Sequence, residues 1–295
     1  MNYIDLDGTL IETTTGQDKV LSFLYTNILG RILLKFLVDR RLSVLSGKLL
    51  DSPCSTVLIQ PFIKKNGICM EDYEKKKYKS FNDFFTRKIR AEKRPICEDP
   101  HSLISPCDCK ASVYPISKGT TFSVKNTEYT LRSLLRSPRL AGRFENGYAY
   151  ILRLSVEDYH RYVYAASGRR SKNYHIDGTF HTVNPIANDC LPIYKENTRE
   201  YTVIHSPVFG DIVQMEVGAL MVGKISNDNS SSTAVRGEEK GYFEYGGSTI
   251  ILLTSHRTSP RANLLQNTLN GYETKILQGQ EIGKADHLPN LYPDN

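Results

Sequence analysis

Apolar and polar residues change rhythm once along this chain. Leu21, Leu24, Tyr25, Ile28, Ile32 and Phe36, with Lys35 on the same track, recur at three- and four-residue steps. That spacing places them on one face of an amphipathic helix. Phe81-Asn82-Asp83-Phe84-Phe85 opens a second short segment rich in aromatics. Two prolines, in Arg94-Pro95-Ile96 and Glu98-Asp99-Pro100, end the helical pattern. Beyond residue 100 the apolar runs are short and rich in β-branched and aromatic residues. Tyr148 to Leu154, Tyr201 to His205, Asp211 to Val217 and Thr249 to Leu253 are each bounded by Gly, Pro, Asn or Asp, which predicts strands with frequent turns. Ser226 to Gly237 is polar, with three consecutive serines, and predicts an exposed loop. The expected class is α+β, with a helical region over 1–100 followed by a β-rich domain over 101–295.

Composition narrows the picture. The 295 residues are 40% hydrophobic and 24% charged, enough to bury a core and inconsistent with general disorder. Lys and Arg total 38 against 32 Asp and Glu, a net charge of +6. Nucleic-acid binding would need denser basic clusters than Lys75-Lys76-Lys77 or Arg169-Arg170, so no nucleic-acid partner is expected. A mild positive excess suits an anionic membrane surface, or simply a solvated face. The most apolar stretch, Val20 to Val38, contains Arg31 and Lys35. It is not expected to span a bilayer, because central charges are costly there. The first residues carry no basic segment of a secretion signal. The cysteines at 54, 69, 97, 107, 109 and 190 show no disulfide framework. Cys107-Asp108-Cys109 is too closely spaced for a zinc site. Reduced thiols in a cytosolic protein are expected.

Two motifs carry candidate chemistry. Asp5-Leu6-Asp7-Gly8-Thr9 spells DxDGT, the nucleophile and acid/base pair of one phosphatase class. That chemistry needs a buried strand before it and a doubly wound sheet after it. Only Ile4 is strongly apolar ahead of Asp5, and no such alternation follows, so an Asp-Gly turn is the better reading. The second motif is Phe243-Glu244-Tyr245-Gly246-Gly247-Ser248-Thr249-Ile250-Ile251. Its plain reading is a strand entered through a glycine bulge. Its chemical reading uses the same parts. Glycine permits strained backbone, and a serine hydroxyl could then attack the preceding carbonyl carbon, shifting the acyl group from N to O.

Other segments decide between these readings. Phe81 to Arg87 reads FxxFFxR, Ser105-Pro106-Cys107-Asp108 reads SPxD, and Asp158-Tyr159-His160-Arg161 reads DYHR. Asn197-Thr198-Arg199, Phe209-Gly210 and Val217 to Gly223 read NxR…FG…VGAxxVG. Lys240-Gly241-Tyr242-Phe243 then leads to Gly246-Gly247-Ser248-Thr249. In this order, from Phe81 to Gly283, they resemble the phosphatidylserine decarboxylase proenzymes.

The resemblance implies self-cleavage between Gly247 and Ser248, giving chains of 247 and 48 residues. Ser248 would become a covalent pyruvoyl group, the family's only cofactor, with no metal. Its ketone would form a Schiff base with the amine of phosphatidylserine and accept the electrons released as CO₂ leaves, yielding phosphatidylethanolamine. The resemblance also implies a core similar to a lipoyl-type β-sandwich, closed by a hairpin of Gly271 to Thr274 and Gly279 to Gly283. Expected partners are phosphatidylserine, an anionic membrane surface, the chain's own two fragments and a second copy in a homodimer. The expected location is peripheral, on the cytoplasmic face of the cell membrane.

The family matures through an Asp–His–Ser relay, and Asp108 matches its aspartate. Many members read DYHRxH, with the second histidine as base. Here that position is Val163, which cannot carry a proton. His160 and His181 are the two substitutes. A hairpin centred near Ser171 or Lys172 would place residues 163 and 181 opposite each other and favour His181. Val163 also keeps open a second class, a lipid-surface binding homologue without catalysis.

Overall fold

The β-branched runs beyond residue 100 form strands because both their faces can be buried. The computed structural model describes residues 2–5, 8–12, 27, 47–124, 127–179, 193–218, 224–228, 230–246 and 248–286. In chain order the strands are β1 (Asn2–Ile4), β2 (Leu10–Glu12), β3 (Ser102–Ile104), β4 (Cys109–Pro115), β5 (Thr121–Val124), β6 (Thr127–Thr130), β7 (Tyr148–Leu154), β8 (Arg161–Val163), β9 (Gly168–Arg170) and β10 (Tyr174–Ile176). They continue as β11 (Arg199–Ser206), β12 (Gly210–Val217), β13 (Ile225–Asn227), β14 (Thr233–Ala234), β15 (Glu239–Phe243), β16 (Ser248–Thr254), β17 (Thr258–Pro260), β18 (Glu273–Ile276) and β19 (Glu281–Ala285). With short helices around them, the described part is α+β and mostly sheet.

Among the described residues the main sheet has 11 strands, in the order β14-β9-β11-β12-β16-β7-β4-β18-β1-β2, with β10 also paired to β11. Every residue of β16 is buried, and so is all of β7 after Tyr148. Such central strands read as continuous apolar runs instead of alternating ones. Small sheets pack beside them, in the orders β13-β15-β8 and β17-β19-β3. Glu216 on β12 and Lys240 on β15, both fully buried, pair at 2.6 Å and tie one small sheet to the main one. Asn227 accepts from the same ammonium at 2.7 Å.

As the Asp-Gly reading expects, the DxDGT segment links two paired strands, β1 and β2, and β1 runs parallel to β18 near the sheet edge. The Asp5 carboxylate accepts from Thr9 N at 2.8 Å, so it caps a turn and is not at the end of a buried strand. The Gly271 to Gly283 segments form no hairpin: β18 joins β4 and β1, while β19 pairs with β17 and β3. The polar run 226–237 contributes β14 to the sheet edge. Edge pairing uses main-chain groups, which polar composition does not reveal.

The described residues before 100 include helices at Ile59–Asn66 and Phe81–Phe85. The amphipathic stretch 21–46 lies outside the described residues, apart from Asn27. Packing runs across residue 100. Cys97 N donates to Gly279 O at 2.9 Å, and Arg236 donates to the Asp99 and Ser102 carbonyls at 2.6 and 2.9 Å.

Candidate active site

β15 is followed in the chain by β16, so the polypeptide crosses here from the small sheet into the centre of the main one. Gly246 has φ of 139°, a conformation that a side chain disfavours. Gly241, in the KGYF segment, is needed for another reason. A Cβ there would lie 2.1 Å from the Ser226 carbonyl oxygen. Gly247 lies outside the described residues. Ser248 is the first residue of β16, opposite Leu154 of β7, and is fully buried. Its hydroxyl has no hydrogen-bond partner among the described residues. Buried polar groups are normally satisfied, so an orphan hydroxyl calls for an explanation.

The DYHR segment supplies the neighbour. Ser155 to Asp158 form a turn after β7, in which Ser155 N donates to the Asp158 carboxylate at 2.7 Å. Burial pushes the Asp158 carboxyl up to about 6, against the pull of the Lys110 ammonium. Lys110 is anchored on Ser155 Oγ at 2.7 Å and Glu157 at 3.2 Å. The turn aims the fully buried His160 ring at the Gly246 main chain, which perturbs its titration. Its Nδ1 lies 2.9 Å from the Asp158 carbonyl oxygen. That contact assigns the proton to Nδ1 and leaves the Nε2 lone pair free. Among the described residues Nε2 makes no hydrogen bond of normal geometry. Burial pushes the imidazole down to about 3, so it is neutral at pH 7.

The FxxFFxR segment closes the site. Ser80 caps the short helix Phe81–Phe85 by accepting from Asp83 N. The Phe85 ring lies 4.2 Å from His160 and 5.1 Å from Tyr245. Phe62 and Phe81 complete the cluster around Tyr245 at 6.4 and 5.2 Å. Asn82 Oδ1 accepts from Tyr245 N at 3.2 Å. The turn is therefore held dry, in a setting where any charge or developing oxyanion is sensitive to its few neighbours.

Asp108 is buried and bound elsewhere. Its carboxylate takes a forked pair of bonds from Arg94, at 2.7 and 2.5 Å, and one from Gln278 N at 2.9 Å. None of its described partners is a histidine. Val163 N donates to Pro106 O at 2.9 Å, so position 163 lies against the loop that carries Asp108. Among the described residues, the pairs that a hairpin centred near Ser171 would need are not formed: Tyr164 bridges to Arg236 and Thr179 to Asn197. β8 pairs with β15 and β10 pairs with β11. His181 itself lies outside the described residues. Arg199 of the NxR segment is structural, donating to the Leu134, Lys195 and Asn197 carbonyls at 2.8 to 2.9 Å.

Reading the sequence alone assigned no role to Arg94, Gln278, Phe85 or Asn82. Phe85 and Asn82 were visible as part of a motif. Arg94 and Gln278 had no local signal, because they lie 14 and 170 residues from Asp108 and meet it only through tertiary packing.

A family model for phosphatidylserine decarboxylase matches residues 81–284, and the chain belongs to that family of decarboxylases. It is similar to phosphatidylserine decarboxylase proenzyme 2 of Clostridium acetobutylicum, at 43% identity over 90% of this chain and 92% of the relative. The phosphatidylserine decarboxylase proenzyme of Clostridium tetani is 38% identical over 93% of this chain and 94% of its own length. That of Clostridium botulinum strain Kyoto is 37% identical over 92% and 95%.

Proposed function

We propose that this chain is a proenzyme that cuts itself between Gly247 and Ser248 and then decarboxylates phosphatidylserine to phosphatidylethanolamine. The observation that carries the reading is the fully buried Ser248 hydroxyl, unpartnered among the described residues and two residues after the positive-φ Gly246, whose main chain the buried His160 ring approaches. The hydroxyl oxygen bonds to the Gly247 carbonyl carbon, the Gly247–Ser248 C–N bond breaks, and an ester replaces the amide. Loss of the Ser248 α-proton expels the Gly247 carboxylate. Water then releases ammonia from the resulting dehydroalanine and leaves a pyruvoyl group. The fully buried position of Ser248, opposite Leu154 of β7, fits such a group. Once formed, it supplies a ketone that takes the substrate amine and withdraws electrons as CO₂ departs.

His160 is the base we assign to maturation, because its neutral buried ring packs on Phe85, which covers Tyr245 of the scissile turn, and no described strand pairing supports the hairpin that favoured His181. Asp108, held by Arg94, sits beside position 163 and supports a histidine there in relatives that carry one. After the cut, β16 to β19 remain paired in the sheets, so the fragments stay together. We read the core strands as similar to a lipoyl-type β-sandwich. We also propose peripheral attachment to an anionic membrane on the cytoplasmic face. Leu49, Val57 and Leu58 are 69%, 74% and 47% exposed, close in sequence to Lys48, Lys64 and Lys65, and extend the basic amphipathic stretch before them. Among the described residues no helix is long and apolar enough to cross a membrane.

A denaturing gel with intact mass tests the reading. The expected result is two fragments, the smaller one blocked to Edman degradation. A fully active single chain overturns it, and a persistent single chain without activity favours the non-catalytic homologue.

A further inference from the structure

Arg87 is 2% exposed, and no carboxylate pairs with it among the described residues. One of its donors goes to the Tyr73 hydroxyl at 3.1 Å and another, weakly, to Phe85 O at 3.5 Å. Its guanidinium lies over the Tyr73 and Phe84 rings at 4.3 and 4.8 Å, and its Nε has no acceptor among the described residues. A buried cation without an anion is costly. Arg87 also lines a cleft of about 280 Å³, together with Glu74, Lys76, Tyr78, Lys88 and Arg161. Asp83 neutralises Lys76 at 2.5 Å and Glu239 neutralises Arg161 at 2.6 Å. With Glu74 set against one of the remaining cations, a single positive charge is left over, on the Arg87–Lys88 pair. A phosphodiester carries one negative charge.

The cleft adjoins the reactive turn from two directions. Phe85, two residues before Arg87, has its ring 4.2 Å from His160. Arg161 follows His160 directly and donates to Thr86 O at 2.8 Å. In a serine phospholipid only a few bonds separate the amine from the phosphorus. An amine brought to Ser248 therefore places its phosphate in this neighbourhood.

We propose that Arg87 and Lys88 form the subsite for the phosphodiester of the substrate head group, an assignment that rests on the decarboxylase reading above. The substrate carries a second anion, the carboxylate to be lost. A cation there would stabilise the charged ground state, whereas the apolar Phe85 and Tyr245 walls strip its solvation. The cationic cleft therefore suits the phosphate, which is unchanged by the reaction. An interaction equal in ground and transition states appears in KM and not in kcat.

The test is steady-state kinetics on short-chain phosphatidylserine below its aggregation limit, where surface attachment plays no part. Arg87→Gln should still self-cleave and raise KM about tenfold to a hundredfold with little change in kcat. Arg87→Lys should recover part of that loss. Lys88→Gln, at the exposed rim, should raise KM about threefold to tenfold. Glycerophosphoethanolamine, a phosphodiester without acyl chains, should inhibit the parent enzyme and inhibit Arg87→Gln far less. Unchanged KM in both glutamine variants, or a loss confined to kcat, overturns the subsite. So does a KM rise that occurs on anionic vesicles only, which would assign these charges to the membrane surface. If Arg87→Gln fails to self-cleave, Lys88→Gln and the inhibitor decide alone. A parent chain that neither self-cleaves nor releases CO₂ defeats the decarboxylase reading itself.

Discussion

Two glycine-containing turns in this chain carry an oxygen that could act as a nucleophile, and their fates differ. At Asp5 to Thr9 the carboxylate accepts from Thr9 N at 2.8 Å, at the edge of the main sheet. Its hydrogen-bonding capacity is used by the turn it stabilises. After Tyr245 and Gly246 the chain enters a strand buried along its whole length, and the Ser248 hydroxyl has no partner among the described residues. The first oxygen is occupied and wet; the second is idle and dry. Motif spelling alone does not separate them. Burial and the absence of a structural partner do.

The largest effect should come from removing the idle oxygen. Ser248→Ala should remain one 295-residue chain with no decarboxylase activity, checked by intact mass and CO₂ release. Its folding should be as stable as that of the parent precursor, because no hydrogen bond is lost. Asp5→Ala should cleave and decarboxylate normally. Loss of activity in that variant would erase the distinction between the turns.

The histidine beside the dry turn comes next. His160→Leu should slow self-cleavage of freshly synthesised chain about a hundredfold or more, while His181→Ala should mature at the parent rate. Val163→His, placed beside the Asp108 loop, should restore cleavage to His160→Leu at least in part. A stalled His181→Ala would move the base to the other histidine.

Opening the aromatic cover should cost stability before it costs chemistry. Phe85→Ala removes a fully buried ring and should destabilise the precursor by about 3 kcal/mol, measured by denaturant unfolding in the Ser248→Ala background. A change below about 1 kcal/mol would mean the helix Phe81–Phe85 does not seal the site.

The smallest predicted effect is on pH dependence. His160 is held near 3 against 6.5 in the unfolded chain. Between those values the unfolded state binds a proton that the folded state refuses, so stability falls as pH drops. Asp158 is held near 6 against 3.8. Between those values the folded state keeps a proton that the unfolded state has released, so stability falls as pH rises. The two oppose each other over the pH range in which their windows overlap. His160→Leu, compared with the parent at pH 4.5 and pH 7, should be relatively more stable at the lower pH by about 2 kcal/mol. Equal differences at the two pH values would show that the ring is not held neutral by burial.

Much of this was legible in the chain. Tyr148 to Leu154 is β7 without adjustment, and the other three runs fall within β11, β12 and β16. Local chemistry suffices for such elements, because β-branched runs bounded by turn residues have few other uses. The ordered motifs were also sufficient to indicate the family, and Gly-Gly-Ser marked the turn that the site is built on. Tertiary structure decided which groups face each other. β8 lies against β15, far along the chain, instead of folding back on the next segment. Strand pairing is made by main-chain groups that every sequence has, so register over long separations is set by which faces must be buried together. The same holds for Asp108. Its charge and position are written in the sequence, but its partner Arg94 was selected by the packing that brought two loops together.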